Sequence, residues 1–466
     1  MNESDSQKLR RRNHRSGAWA ALLAGWLLLG ISARAAEISV NNASEVTIAA
    51  AQSHPGDTIV MRDGIWQNAD LLFAANGALG NPVTLRAQTL GGVQLTGSSR
   101  LRIAGSFLVV DGLIFTNGFR TSGEVIAFQD TISTVANFSR LTNCVIVDYN
   151  PPDTTLDVKW VSMFGFSNRV ENCFFKGKSN LGTTLIVWVD AAPDKPNYHV
   201  IRHNYFGPRP AYPANGAETI RVGTSEVSMN LSRTTVEENY FEQCNGDAEI
   251  ISSKSCENIY RHNTFVDCEG ALSLRHGNRC VVEGNYFFGH LKTLTGGVRI
   301  VGEDHKVYNN YFADLAGTSS RAPMAIMQGL DPVLYGGPLP LNGYFQVQRA
   351  VVAHNTFVNC ANPLVIGLVG TLTGSTNITT LPPVDCVIAN NLALSSSGKL
   401  VDQRTTPVNL AWEGNILFGT TLGITPIPGI TVTNPALVFG TDGLWRPDTA
   451  SPARGGAQGN YPYITI

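Results

Sequence analysis

Short apolar runs alternate with polar turns along most of the chain. One pattern keeps returning: an apolar residue, two or three mostly polar ones, Asn, any residue, then an aromatic or aliphatic. It reads TNCVI, ENCFF, HNYF, ENYF, HNTF, GNYFF, NNYF, HNTF, NNLAL and GNILF. The asparagines are Asn143, Asn172, Asn204, Asn239, Asn263, Asn285, Asn310, Asn355, Asn391 and Asn415. From Asn239 to Asn263 to Asn285 to Asn310 the gaps are 24, 22 and 25 residues, and Asn391 to Asn415 is again 24. Such a period, built from short β-prone segments, predicts a solenoid. The expected class is all-β: a right-handed, single-stranded parallel β-helix with three short strands per coil. The longer gaps mark loops inserted into a coil. A leucine-rich repeat has a similar period but needs L-x-x-L-x-L spacing, which is absent. Asn suits a turn because it tolerates left-handed backbone, and stacked Asn side chains can hydrogen-bond from coil to coil. These asparagines are read as structural.

The ends of a solenoid need covering. Ala43 to Ala51 is helix-compatible and is expected to cap the first coil. Thr421 to Ile466 is rich in Pro and Gly and is expected to cover the last. No linker interrupts the pattern, so residues 36–466 form one β-helix domain. Residues 1–35 read as a signal peptide. Lys8, Arg10, Arg11, Arg12 and Arg15 form a basic head, Ala18 to Ser32 an apolar core, and Ala33-Arg34-Ala35 an A-x-A cleavage site. The apolar run is shorter than the ~20 residues of a spanning helix. The expected location is therefore periplasmic or secreted, with no membrane attachment after cleavage.

Composition narrows the partners. At 43% hydrophobic and 15% charged, the chain is too apolar for disorder. A net charge of −2 provides no global basic field for nucleic acid. A polyanionic substrate would have to meet a local basic cleft. Cys244, Cys256, Cys268 and Cys280 recur every 12 residues and no C-x-x-C pair occurs. They are read as buried thiols at interior positions, Cys244/Cys268 and Cys256/Cys280 each stacked one coil apart, with bridges between adjacent coils still sterically open.

Polar residues gather between Asn215 and Arg321, in NGAETIRVG, NGDAEIISSKSCEN, LSLRHGNRC and GGVRIVGEDH, which lie about one coil apart. Equivalent positions on neighbouring coils sit about 4.8 Å from each other, so these segments make one patch. Asp247 and Glu249 alternate and share a face. With the Asn215 amide oxygen they suit Ca²⁺, which takes oxygen ligands, and Glu218 is a possible further ligand. The bland reading of D-x-E is a solvated acidic edge, and surface Lys and Arg are usually solvated too.

The ordered strings NGAETIRVG, DAEIISSKS, LRHGNRC and NNYF resemble polysaccharide lyase family six, which holds alginate lyases and the dermatan-cleaving chondroitin B lyases. The resemblance covers nearly all of the chain after the signal. It implies a single-domain β-helix that cleaves an acidic, uronate-containing polysaccharide by calcium-assisted β-elimination. It implies that Lys254, in ISSKS, and Arg275, in LRHG, are catalytic. It implies that Asn215, Asp247 and Glu249 hold calcium, although the family usually has Glu where this chain has Asp247. Arg221, His276, Arg299, His305 and Arg321, the last in a family-like RAP segment, are expected to bind substrate. Alginate is the leading substrate and dermatan sulfate the second. A pectin-type hydrolase on the same fold would need paired carboxylates as acid and base rather than a Lys and an Arg one coil away. A binding-only adhesin would need no such pair.

Overall fold

The computed structural model describes residues 35–130, 133–371, 378–462 and 464. The expected signal peptide therefore lies outside the described residues, apart from Ala35. Among the described residues no helix is long and apolar enough to cross a membrane. The chain winds through three long parallel sheets of 14, 13 and 14 strands, visiting each in turn, as a parallel β-helix does. One coil runs Thr235–Glu237 in the first sheet, Tyr240–Glu242 in the third, and Glu249–Lys254 in the second, before Ile259–Arg261 re-enters the first. The helix Ala43–Gln52 caps the start. Its N-terminus is closed by Asn42, whose side chain accepts from Glu45 N at 3.0 Å, while Glu45 accepts from Asn41 N at 2.7 Å.

The interior is built of like on like. Phe175, Phe206, Phe241, Phe265, Phe287, Phe312 and Phe357 form one stack, with ring centroids 4.6–5.3 Å apart. Beside it runs the asparagine ladder. Asn239 Oδ1 accepts from both Asn204 N and Asn204 Nδ2 at 3.0 Å, and its own Nδ2 donates to Asn263 Oδ1 at 3.0 Å. The same bonds repeat through Asn285, Asn310, Asn355 and Asn391 to Asn415.

Three details differ from the sequence reading. First, Asn143 and Asn172 are not rungs. Their place in the column is taken by Cys144 and Cys173, and Cys173 N donates to Asn204 Oδ1 at 2.9 Å. Asn143 and Asn172 fall one residue earlier, where the backbone is left-handed, at φ +52° and +55°. The ladder asparagines are not the left-handed residues; their predecessors His203, Glu238 and His262 are. Second, all eight thiols are buried and unbridged. Cys244 and Cys268 do stack, Cys244 N donating to Cys268 Sγ at 3.4 Å. Cys256 and Cys280 do not: Cys256 Sγ accepts from Asn278 N, while Cys280 N donates to His305 Nδ1. The 12-residue spacing crosses unequal turns and so mixes two columns. Third, the C-terminal cover does more than close the end. Leu422, Ile424 and Ile430 pack on the last coil, and then Leu437, Leu444 and Trp445 run back along the flank against Tyr311, Ala313 and Val358.

Candidate active-site cleft

The second sheet positions the polar patch. Its strands Ile220–Val222, Glu249–Lys254, Gly270–His276 and Thr295–Ile300 are hydrogen-bonded neighbours, with Arg221, Ser252, Ser273 and Arg299 in one register column. Two glycines let the turns beyond this sheet close up. A Cβ on Gly223 would lie 2.4 Å from Lys254 O, and one on Gly277 2.4 Å from Ser255 O, and both have left-handed φ. The glycines of NGAETIRVG and LRHG thus serve the backbone that carries Lys254 and Arg275.

Above these strands opens a cleft of about 550 Å³. Asn215, Asp247, Glu249, Lys254, Arg275, His276, Arg299 and Arg321 all line it, so most of the residues singled out in the sequence converge. His276 lines it because the pairing between the two central strands slips: Ser253 faces Leu274, but Lys254 faces His276. The bulge lets two consecutive residues, Arg275 and His276, face the cleft, against ordinary strand alternation.

Lys254 Nζ lies 3.8 Å from Glu218 Oε1, and an Arg221 nitrogen lies 3.8 Å from Glu218 Oε2. Glu218 is 1% exposed and neither oxygen has a hydrogen-bond partner. It sits beneath Lys254 as a counter-charge, with Arg221 on its other oxygen. Burial pushes the Lys254 ammonium below its usual pKa; Glu218 opposes this, and Arg221 and Arg275 add to it. Arg275 lies over the Tyr344 ring, 3.9 Å from the centroid, and donates to Gly343 O and Asn342 O at 3.2 Å. His276 is held neutral, its pKa pushed down to about 2 by burial and by Arg275 and Lys254, and one ring nitrogen meets Ser225 Oγ at 3.3 Å. A neutral imidazole is no cationic acid, so His276 is not poised to protonate a leaving group.

The oxygen-rich end holds Asp247, whose Oδ2 accepts from Gly216 N at 3.0 Å and whose Oδ1 accepts from Glu249 N at 3.1 Å. Glu249 is buried, paired with the Arg299 guanidinium and accepting from Ser252 Oγ. Arg299 also donates to Ser273 Oγ at 2.8 Å. Asn215, Asp247 and Glu249 are an all-oxygen donor set, which fits a hard divalent cation in type. Among the described residues no group of three His, Cys, Asp or Glu side chains gathers close enough to hold a metal, so a site here needs the Asn215 amide. A cation would also compete with Arg299 for Glu249.

His305 does not reach the cleft. It is fully buried, accepts from Cys280 N at 3.1 Å and contacts Val301 O at 2.9 Å, and burial lowers its pKa to about 4. It continues an interior column through Cys280, and the 25-residue spacing between those two residues was the available signal. Sequence reasoning missed Ser225, Tyr212, Asn342 and Tyr344, which line the cleft from inserted loops where the repeat is silent.

The fold and the cleft define a class: parallel β-helix proteins whose second sheet carries a half-buried lysine, a ring-stacked arginine and an oxygen-rich end in one cleft. The Chondroitinase B family profile matches residues 40–441. The chain belongs to that family, polysaccharide lyase family six. Similar solved structures include the family-six alginate lyase AlyGC, 34% identical, covering 91% of this chain with a TM-score of 0.83. The chain spans only 56% of the length of that protein. A mannuronic acid specific family-six lyase from human gut microbiota is 30% identical over 85% of this chain and 91% of its own, with a TM-score of 0.74. A family-six alginate lyase solved with a trisaccharide is 25% identical over 91% and 93%, also at 0.74. No curated protein sequence matches the chain.

Proposed function

We propose that this protein is a polysaccharide lyase that cleaves alginate by β-elimination. The observation that carries this reading is the desolvated Lys254 held within one coil of Arg275 in a cleft of mixed charge. Elimination removes the C5 proton of a uronate; the C–H electron pair becomes the C4–C5 double bond, and the C4–O4 bond breaks with its electron pair leaving on O4, which takes up a proton from water. Neutral Lys254 Nζ accepts the C5 proton, and its burial favours that neutral form. Arg275, fixed by Tyr344 and two carbonyls, stabilises charge developing on the sugar. Arg299 and Arg321 orient the acidic chain from the cleft wall. Asn215, Asp247 and Glu249 are the residues to hold calcium, which when bound would neutralise the substrate carboxylate. With the expected signal segment, the location is periplasmic or secreted.

The alginate lyases among the similar structures favour alginate. The matching profile's chondroitinase name keeps dermatan sulfate as the second reading. A panel of alginate blocks, dermatan sulfate and pectate decides between them. Ultraviolet absorbance from unsaturated uronate ends should grow with alginate. New reducing ends without that absorbance would reject elimination altogether.

Chelation should lower turnover by about a hundredfold or more, the scale of losing an electrostatic stabiliser. It should leave the melting temperature nearly unchanged, because the coils are held by ladders and stacked side chains. Full activity in excess chelator, with no metal in the protein, would remove calcium from the mechanism.

A further inference from the structure

The outer face of the second sheet extends past the cleft. Met163, Val187, Val222 and Ser253 are in register and point inward. The residues that follow, Phe164, Trp188, Gly223 and Lys254, take equivalent positions on successive coils, the first three just past their strand ends. Trp188 is therefore two coils from Lys254, about 10 Å, with only a glycine between them.

Phe164 and Trp188 stack with centroids 5.7 Å apart and planes 8° from parallel. Phe164 backs the indole from the preceding coil. Beside the pair opens a cavity of about 700 Å³, whose lining includes Phe166, Lys195 and Asn197. Phe166 is 42% exposed at its rim. Lys159 Nζ lies 5.9 Å from the Trp188 ring centroid. The wall is prebuilt: Asn197 Nδ2 donates to Gly165 O at 2.9 Å and Trp188 O at 3.1 Å, and Asn230 Nδ2 donates to Asp190 O at 2.9 Å.

We infer that Trp188, backed by Phe164, forms a subsite for a sugar unit of the acidic chain remote from the bond broken at Lys254. A pyranose offers an apolar face to an aromatic ring and hydroxyls to the polar rim, where Lys195 stands 4.0 Å from Asp190. The cavity lies about two coils from Lys254 along the same sheet, within the reach of one polysaccharide chain, so the occupant is the strand that the cleft cleaves. This inference rests on the lyase reading.

The test compares wild type, Trp188→Ala and Trp188→Phe on alginate oligomers of increasing length and on polymer. For wild type, kcat/KM should climb with length until the chain reaches Trp188. Trp188→Ala should plateau earlier and show a KM on polymer about five- to tenfold higher, the weight of one lost ring contact. Its kcat, and its kcat/KM on the shortest cleaved oligomer, should stay within about twofold of wild type, well under the 1.4 kcal/mol of a tenfold change. Trp188→Phe should restore most of the polymer KM. Equal losses on short and long substrates, or no loss on either, overturn the subsite. If Trp188→Ala fails to fold, Phe166→Ala at the exposed rim carries the same length-selective test. A wild-type enzyme producing no unsaturated ends overturns the lyase reading, and the subsite with it.

Discussion

Lys254→Ala is expected to cut turnover by about three to four orders of magnitude, the upper scale of general-base catalysis, while substrate affinity and the fold largely survive. Lys254→Arg separates two explanations. A guanidinium keeps the charge beside Glu218 but cannot give up its proton to become a base. If Lys254 accepts the C5 proton, the arginine variant should be nearly as dead as the alanine variant. If Lys254 merely supplies charge, arginine should recover much of the rate. The pH profile adds an independent check. Burial lowers the Lys254 pKa, so the neutral, active form gains population as pH rises. The rate should therefore climb with pH and level off below the ordinary lysine range. A pH-independent rate across that range, or a fully active Lys254→Arg enzyme, would move the base to another residue.

The largest expected effect on stability comes from the ladder. Asn263 accepts from Asn239 N at 3.1 Å and Asn239 Nδ2 at 3.0 Å, and donates to Val236 O at 2.9 Å and Asn285 Oδ1 at 3.0 Å. The residue is fully buried. Asn263→Leu removes four bonds and leaves buried donors and acceptors without partners, each costing about 1–3 kcal/mol. Some relaxation will reduce the sum, so a loss of about 3–5 kcal/mol is expected, large for one substitution. Urea unfolding measured beside His262→Asn gives the contrast. His262 has left-handed backbone, φ +54°, a conformation Asn adopts readily, so that variant should be neutral or slightly stabilising. Asn263→Leu unfolding within about 1 kcal/mol of wild type, less than one orphaned group costs, would show that the stacked phenylalanines alone hold the coils.

Most of the fold was legible because a solenoid writes its period into the chain. The rungs from Asn204 to Asn415 repeat closely enough to reveal coils, and the helix-compatible stretch Ala43 to Ala51 forms the capping helix Ala43–Gln52. The candidate site was legible for a different reason. Asn215, Asp247, Glu249, Lys254 and Arg275 sit in strings whose order resembles a known family, and stacking coils brings those strings together. Periodicity could not show where equivalence breaks. Asn143 and Asn172 look like rungs, yet the rung is the cysteine that follows. His305 lies in a polar string, yet it directly precedes the strand Lys306–Tyr308 and is fully buried, accepting from Cys280 N. Tyr344 and Asn342 come from an insertion between Asn310 and Asn355, where there is no repeat against which to place them. Glu218 was read as a possible oxygen ligand; its burial and its place between Lys254 and Arg221 emerge only from the packing of two neighbouring coils.

The slipped pairing at Lys254 and His276 sets a limit on how this scaffold can be re-engineered. Coils carrying plain rungs and no cleft residue, such as the one between Asn391 and Asn415, are modular and are candidates for duplication or for exchange with an idealised repeat. The coil ending in Arg275 and His276 is not. Replacing it with a regular consensus coil would restore strict alternation, turning one of these neighbours toward the phenylalanine stack. A lengthened or idealised version of this protein would then fold well and lose its chemistry, unless the one-residue irregularity were copied with the side chains it presents.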